Sequence, residues 1–95
     1  MPCYIALLNF TEKGAKQIKN STARAHQFDR LEEKAGVKVV GQYWTMGRFD
    51  GLLILSASDE TKVLHMLTLL AALGNVRSQT MRAFVDGEFD EILGR

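Results

Sequence analysis

Two strand-like runs on either side of a short polar loop constrain this chain more than any other feature. They lie between Tyr43 and Leu55: Tyr-Trp-Thr-Met, the loop Gly47-Arg48-Phe49-Asp50-Gly51, then Leu-Leu-Ile-Leu. Gly47 and Gly51 both tolerate positive φ, so the spacing predicts a sharp backbone reversal and a hairpin. The run after the loop is the most apolar of the chain and reads as a central strand.

The remaining elements arrange themselves around that hairpin. Residues 3–10 are almost wholly apolar and short, which predicts a strand buried on both faces. Thr11 offers a helix N-cap and Glu12 places negative charge in the first turn. Ala15, Ile18, Thr22, Ala25, Phe28, Leu31 and Ala35 then recur at helical spacing as one apolar stripe. Asn20-Ser21 interrupts it with two cap-forming residues, so the helix is expected to break there and restart from Ser21. Gly36 ends it. Residues 37–45 mix β-branched, aromatic and polar side chains, as an edge strand does. Beyond the hairpin, Ser58 is the expected cap of a second helix running to about Leu73, with Gly74-Asn75 as its stop. Residues 76–84 read as a second polar edge strand, and 87–93 as one or two helical turns.

The order β-α-β-β-α-β is that of a split βαβ sandwich. Right-handed crossovers make its sheet antiparallel with strands one and three in the middle, and those are the two apolar strands. Pattern and topology therefore agree. A length of 95 residues predicts a single domain over 1–95.

Composition narrows the function classes. Twelve basic residues face eleven acidic ones, and no two Lys or Arg are adjacent. That balance carries no electrostatic footprint for nucleic acid or an anionic membrane. No apolar run approaches a membrane span, and the start lacks the pattern of a secretory signal, so a cytoplasmic location is expected. Cys3, the single cysteine, reads as a small buried apolar strand residue.

Strands one and three are apolar in both parities: Ile5 and Leu7 against Ala6 and Leu8, Leu53 and Leu55 against Leu52 and Ile54. Helices cover only one sheet face in this architecture. The other face is too apolar to stay wet on a monomer, which predicts a homo-oligomer built on the open face. The second helix repeats the point, since Leu64, Leu69, Ala72 and Leu73 extend apolar surface beyond the face made by Val63, Met66, Leu67 and Leu70.

Several short motifs resemble one family. They are Tyr4-Ile5, Asn9-Phe10-Thr11, Gly14, Tyr43-Trp44-Thr45, the Gly47–Gly51 loop, Ala72-Leu73-Gly74-Asn75-Val76-Arg77 and Arg82-Ala83-Phe84. Together, nearly end to end, the chain resembles the small bacterial GYD-domain proteins, named for a Gly-Tyr-Asp signature. Phe49 stands where that signature has its tyrosine. The resemblance implies a ferredoxin-like α+β fold of the dimeric α+β barrel type, in which open sheet faces pair. It implies no particular reaction.

The candidate binding residues are Tyr43, Trp44, Arg48, Asp50, Arg77 and Arg82. An arginine fork suits a small carboxylate or phosphate. The plainer alternative is a local or intersubunit Arg–Asp pair that holds the loop. Arg77 and Arg82, five apart on one strand, point to opposite faces, as do Tyr43 and Trp44. An aromatic on the open side would line an apolar pocket; ordinary packing is the alternative. His26, Asp29 and Glu33 have helical spacing but too few ligands for a metal motif, and neither a metal nor a cofactor is expected. Pro2 becomes a secondary amine if Met1 is removed, but the element order is not that of proline-based tautomerases. There is no nucleophile triad, P-loop or dinucleotide fingerprint. The expected function is an assembly or small-ligand-binding module, self-associating, with a pocket between paired sheets for a small anionic or aromatic molecule. The alternative is a cofactor-independent enzyme of the dimeric-barrel kind, monooxygenase- or isomerase-like. A mostly apolar pocket with one arginine and one proton-transfer group would favour that enzyme.

Overall fold

The computed structural model describes residues 1–94. Four strands, β1 (Cys3–Phe10), β2 (Lys38–Trp44), β3 (Gly51–Ser56) and β4 (Val76–Ala83), form one antiparallel sheet in the order β2-β3-β1-β4. The helices are α1 (Glu12–Lys16), α2 (Ser21–Lys34), α3 (Glu60–Leu73) and α4 (Asp86–Ile92). This is the ferredoxin-like sandwich, with the two apolar strands at its centre as expected.

Strand parity divides the side chains. Tyr4 and Ala6 of β1 and Leu53 and Leu55 of β3 are buried and meet Val37, Ala57, Val63 and Met66 in one core. The alternate set faces away from that core. There Ile5 lies opposite Ile54 and Met81, and Leu7 opposite Leu52, in adjacent registers.

The first helical segment breaks where expected. Thr11 caps α1, its Oγ accepting from Gly14 N at 3.1 Å. A 3-10 turn over Ile18–Asn20 follows, and α2 restarts at Ser21. The continuous stripe, however, is a misreading. The 3-10 turn changes the helical phase, which leaves Ile18 53% exposed; within α2 the three-residue steps from Thr22 to Leu31 drift around the helix, which leaves Leu31 61% exposed. The inward face of α2 instead carries Ala25, Phe28, Asp29 and Glu32. Glu32 is buried, and its Oε2 has no hydrogen-bond partner among the described residues.

Four smaller expectations also change. Asp59, not Ser58, caps α3: its carboxylate accepts from Thr61 N at 2.8 Å. That bond holds the Asp59 carboxyl below its ordinary range. Of the two hairpin glycines only Gly47 has positive φ, at 100°; Gly51 is already the first residue of β3, paired with Trp44. β2 is not a regular strand either. Its register shifts between Val39 and Gly41, so Val40 bulges out at the edge, as extra residues in edge strands do. Cys3 is half-buried rather than a core residue.

The tail forms α4, and its stripe of Val85, Phe89 and Ile92 is left more than half exposed. The Cα radius of gyration is 14.2 Å, with extents of 49 × 31 × 17 Å. A compact domain of this length would measure about 12.4 Å. The shape is thin because, among the described residues, one sheet face carries no second layer.

Gly14 gives the fold a sharp test. Two effects of Gly14→Ala oppose each other. Helix propensity favours alanine by about 1 kcal/mol. Against it, a Cβ would sit 2.0 Å from the carbonyl oxygen of Asn75. That oxygen accepts from Thr11 N at 3.0 Å and cannot move freely. Overpacking against backbone wins, and urea denaturation of Gly14→Ala is expected to show a net loss of about 1–3 kcal/mol.

Candidate functional site

The core is filled at one end of the sandwich and open at the other. Its buried residues gather around the start of β1 and the end of β3. At the hairpin end the side chains of α2, α3 and the sheet diverge and leave a cavity of about 100 Å³. Leu8 and Leu53 form its floor, Phe28 of α2 and Leu70 of α3 its sides. Trp44 stands at the mouth. It occupies the last position of β2 on the helix side of the sheet, opposite Gly51. Its indole Nε1 donates to Ser21 Oγ at 3.0 Å, tying the end of β2 to the start of α2.

Beside Ser21 and Gln42, four polar side chains interrupt this apolar wall, each held differently. Asp50 Oδ2 accepts from Phe10 N at 2.8 Å, while Asp50 N donates to Leu8 O at 2.8 Å. The hairpin loop is thereby stitched to β1 by one residue. Asn75 follows the C-cap Gly74; its Oδ1 is buried without a partner among the described residues. Burial pushes the Asp29 carboxyl above its ordinary value of 3.8, and the nearby His26 opposes this only in part. Arg24 turns its guanidinium to the side chain and carbonyl of Gln17.

The six residues singled out from sequence do not form one site. Tyr43, Trp44 and Asp50 border the cavity. Tyr43 and Trp44 do point to opposite faces, with Tyr43 paired to Leu52 on the open side. Arg48 is exposed and makes no ion pair among the described residues. Asp50 binds backbone instead, so the local Arg48–Asp50 pair does not form. Arg77 and Arg82 are on opposite faces, opposite Asn9 and Tyr4. Arg82 is structural in this chain: it donates to the carbonyls of Cys3 and Ala83, stacks 4.1 Å from the Phe84 ring centroid, and lies 3.6 Å from Glu88 of α4.

Sequence reasoning missed Arg24 and Asn75 and read Asp29 only as part of a weak metal pattern. Asn75 appeared as a helix stop. A signal was present: an Asp in the same helical face as Ala25 and Phe28 must enter whatever that face covers. No three His, Cys, Asp or Glu side chains gather into a metal-binding group among the described residues.

These features define a ferredoxin-like α+β protein with a cavity on the helix side of its sheet and an uncovered apolar face on the other. The chain belongs to the GYD-domain family, whose model matches residues 4–93. A Thermus thermophilus protein described as a glutamine synthetase and cystathionine beta-lyase binding protein is 32% identical over 84 residues, covering 87% of this chain and 88% of the relative. A crystal structure of a T. thermophilus protein superposes with a TM-score of 0.57 at 17% identity, covering 90% of this chain and 95% of that one. At that identity the likeness concerns the fold.

Two substitutions probe the site. Asp50→Ala leaves the Phe10 N–H without its acceptor, and a loss of about 1–3 kcal/mol in chemical denaturation is expected. Arg48→Ala removes an exposed side chain and should stay within about 0.5 kcal/mol. Asp29 gives a pH signature. Its folded-state pKa is raised, so the protonated form is favoured by folding. The stability it contributes is present at acid pH and is lost as pH rises through the raised value. Asp29→Asn should therefore melt higher than the parent at neutral pH, with the gap closing as pH falls below the ordinary carboxylate range. Melting curves of both proteins from about pH 3 to about pH 7, a span that brackets that range, check this.

Proposed function

We propose that this chain is a non-catalytic, self-associating binding module that docks on a metabolic enzyme. The observation that carries the reading is the open sheet face. Ile5, Leu7, Leu52, Ile54 and Met81 form one contiguous apolar patch there, and no helix among the described residues lies over it. Contiguous apolar surface rimmed by polar residues marks an interaction site. Pairing two such faces, at about 800 Å² per subunit, would be an ordinary stable interface. The exposed stripe of α4 extends the same logic: Arg82 anchors the start of the helix to Tyr4 and Phe84, and Phe89 and Ile92 project beyond the sheet. One apolar surface then serves the second copy and another remains for a different protein. The T. thermophilus relative, named for binding glutamine synthetase and cystathionine beta-lyase, supports an enzyme as that protein.

The helix-side cavity, an apolar chamber with one arginine and two carboxyl groups, comes near the outline expected of a dimeric-barrel enzyme, although such a pocket is expected between paired sheets. Its details favour holding a molecule over transforming it. Arg24 is committed to Gln17, the Ser21 hydroxyl accepts from Trp44, and the Asp50 carboxylate is tied to the Phe10 amide, so no uncommitted nucleophile stands beside Asp29 among the described residues of the wall.

Sedimentation at micromolar concentration is expected to show a homo-oligomer. Ile54→Lys, which puts charge at the centre of the patch, should return a folded monomer. A wild-type protein that sediments only as monomer would remove the self-association. Removing residues 85–95 should leave the oligomer of the sheet face intact but abolish co-sedimentation with purified glutamine synthetase or cystathionine beta-lyase. Failure of the full chain to co-sediment with either enzyme would count against an enzyme partner of the relative's kind.

A further inference from the structure

We propose that the chamber behind Trp44 binds a small apolar molecule carrying a hydrogen-bond-donating head, an aromatic alcohol or amine about the size of one substituted ring. The site lies on the helix side of the sheet, so the inference stands apart from the assembly face.

Size sets the first limit. An apolar cavity of about 150 Å³ is enough to hold benzene. A chamber of about 100 Å³ with an open mouth takes one ring with its substituent at the entrance, and it excludes a peptide or a nucleotide. The wall sets the second. Phe28, Leu53 and Leu70 offer aliphatic and aromatic surface inside, and Trp44 offers a ring face at the mouth.

The polar groups set the sign. The indole and the one cation at the site already have partners: Trp44 Nε1 gives its proton to Ser21, and Arg24 turns to Gln17. The Gln42 amide, without a hydrogen bond among the described residues, both donates and accepts and serves either kind of head group. Asn75 Oδ1 is buried and has no open surface at which a ligand donor could be placed, so the acceptors within reach are carboxyl oxygens. The Asp29 carboxyl lies on the wall with no hydrogen bond of its own among the described residues, and Asp50 uses one oxygen for Phe10 N. A head group that donates is matched by these two carboxyl groups. A carboxylate would meet two carboxyl groups and no uncommitted cation. The chamber therefore inverts the preference for small anions that the arginines of the sequence suggested.

The only tryptophan stands at the entrance, so occupancy has its own reporter. Benzyl alcohol, benzylamine and benzoate share one ring and differ in head group. The first two are expected to change Trp44 emission saturably and to raise the melting temperature. Benzoate should bind at least tenfold more weakly than either. Ala25→Phe, which places a ring into the chamber from α2, should abolish the saturable response while the protein melts at or above the parent temperature. Asp29→Ala should weaken benzyl alcohol about tenfold, the value of one hydrogen bond. Should Asp29→Ala fail to fold, Asp29→Asn, which keeps an acceptor, is expected to retain both donor probes. Equal or tighter binding of benzoate would overturn the proposal. So would a saturable response that survives Ala25→Phe, or the absence of a response to all three probes.

Discussion

The rest of this structure depends on the antiparallel pairing of β1 between β3 and β4. Eight residues of β1 find partners on β4 and six on β3, so the backbone of the strand is satisfied on both edges and its side chains alone decide what each sheet face becomes. Tyr4 and Ala6 go to the helices. Ile5 and Leu7 go to the other side, where no helix of the described residues covers them. A one-residue slip in this register would exchange the two sets. The exchange would bury Ile5 and Leu7 well enough, but it would also carry Tyr4 and the Cys3 carbonyl away from Arg82, which stacks over the Tyr4 ring and donates to that carbonyl. The register is thus held by the polar edge strand as much as by the apolar centre.

Much of this is legible in the chain alone. The element order, the two central strands, the opposed faces of Tyr43 and Trp44 and of Arg77 and Arg82, and the break at Asn20-Ser21 follow from period, parity and capping. These are local rules, and the residues obey them. The failures share a cause. Ile18 joins the stripe only if α1 and α2 keep one helical phase, which a three-residue 3-10 turn removes; Leu31 drops out because three-residue steps drift around α2 itself. The bulge at Val40 is likewise a matter of register, visible only once β3 is paired. Ser58 and Asp59 are both good caps, and sequence cannot rank neighbours that differ only in backbone angle. The cavity was least legible of all. Asn75 and Asp29 are polar residues at ordinary positions, and they share a wall only because α2, α3 and the hairpin diverge at one end.

That divergence has a physical origin in the loop. Asp50 binds the amide of Phe10 and the carbonyl of Leu8, which draws the hairpin onto the end of β1. On the other side, Thr11 and Lys13 bind carbonyls at the end of α3, and Gly14 is pressed against Asn75. The end of the sandwich is closed by these polar ties rather than by apolar packing. Polar ties fix distances between backbones; they do not fill volume. Where apolar packing closes the opposite end, Leu55, Met66 and Val37 leave nothing exposed. The same fold thus has a rigid filled end and a tethered open one.

The two unfilled regions differ in kind, and the sheet keeps them apart. The open face is flat, apolar and wide, made of alternate residues on four strands; it suits another flat surface. The chamber is narrow and lined by acceptors, with an indole at its mouth; it suits a single small molecule. Yet both include the end of β2. Tyr43 faces the open side and Trp44 the chamber, on consecutive residues of one edge strand. Any partner that packs on Tyr43 presses on the peptide that carries Trp44. That strand is bulged at Val40 and hydrogen-bonded along one edge only, so it is the part of the sheet least able to resist a shift. Because coupling between sites requires an element that both can bias, the last two residues of β2 are where contact on one face of this protein would be felt on the other.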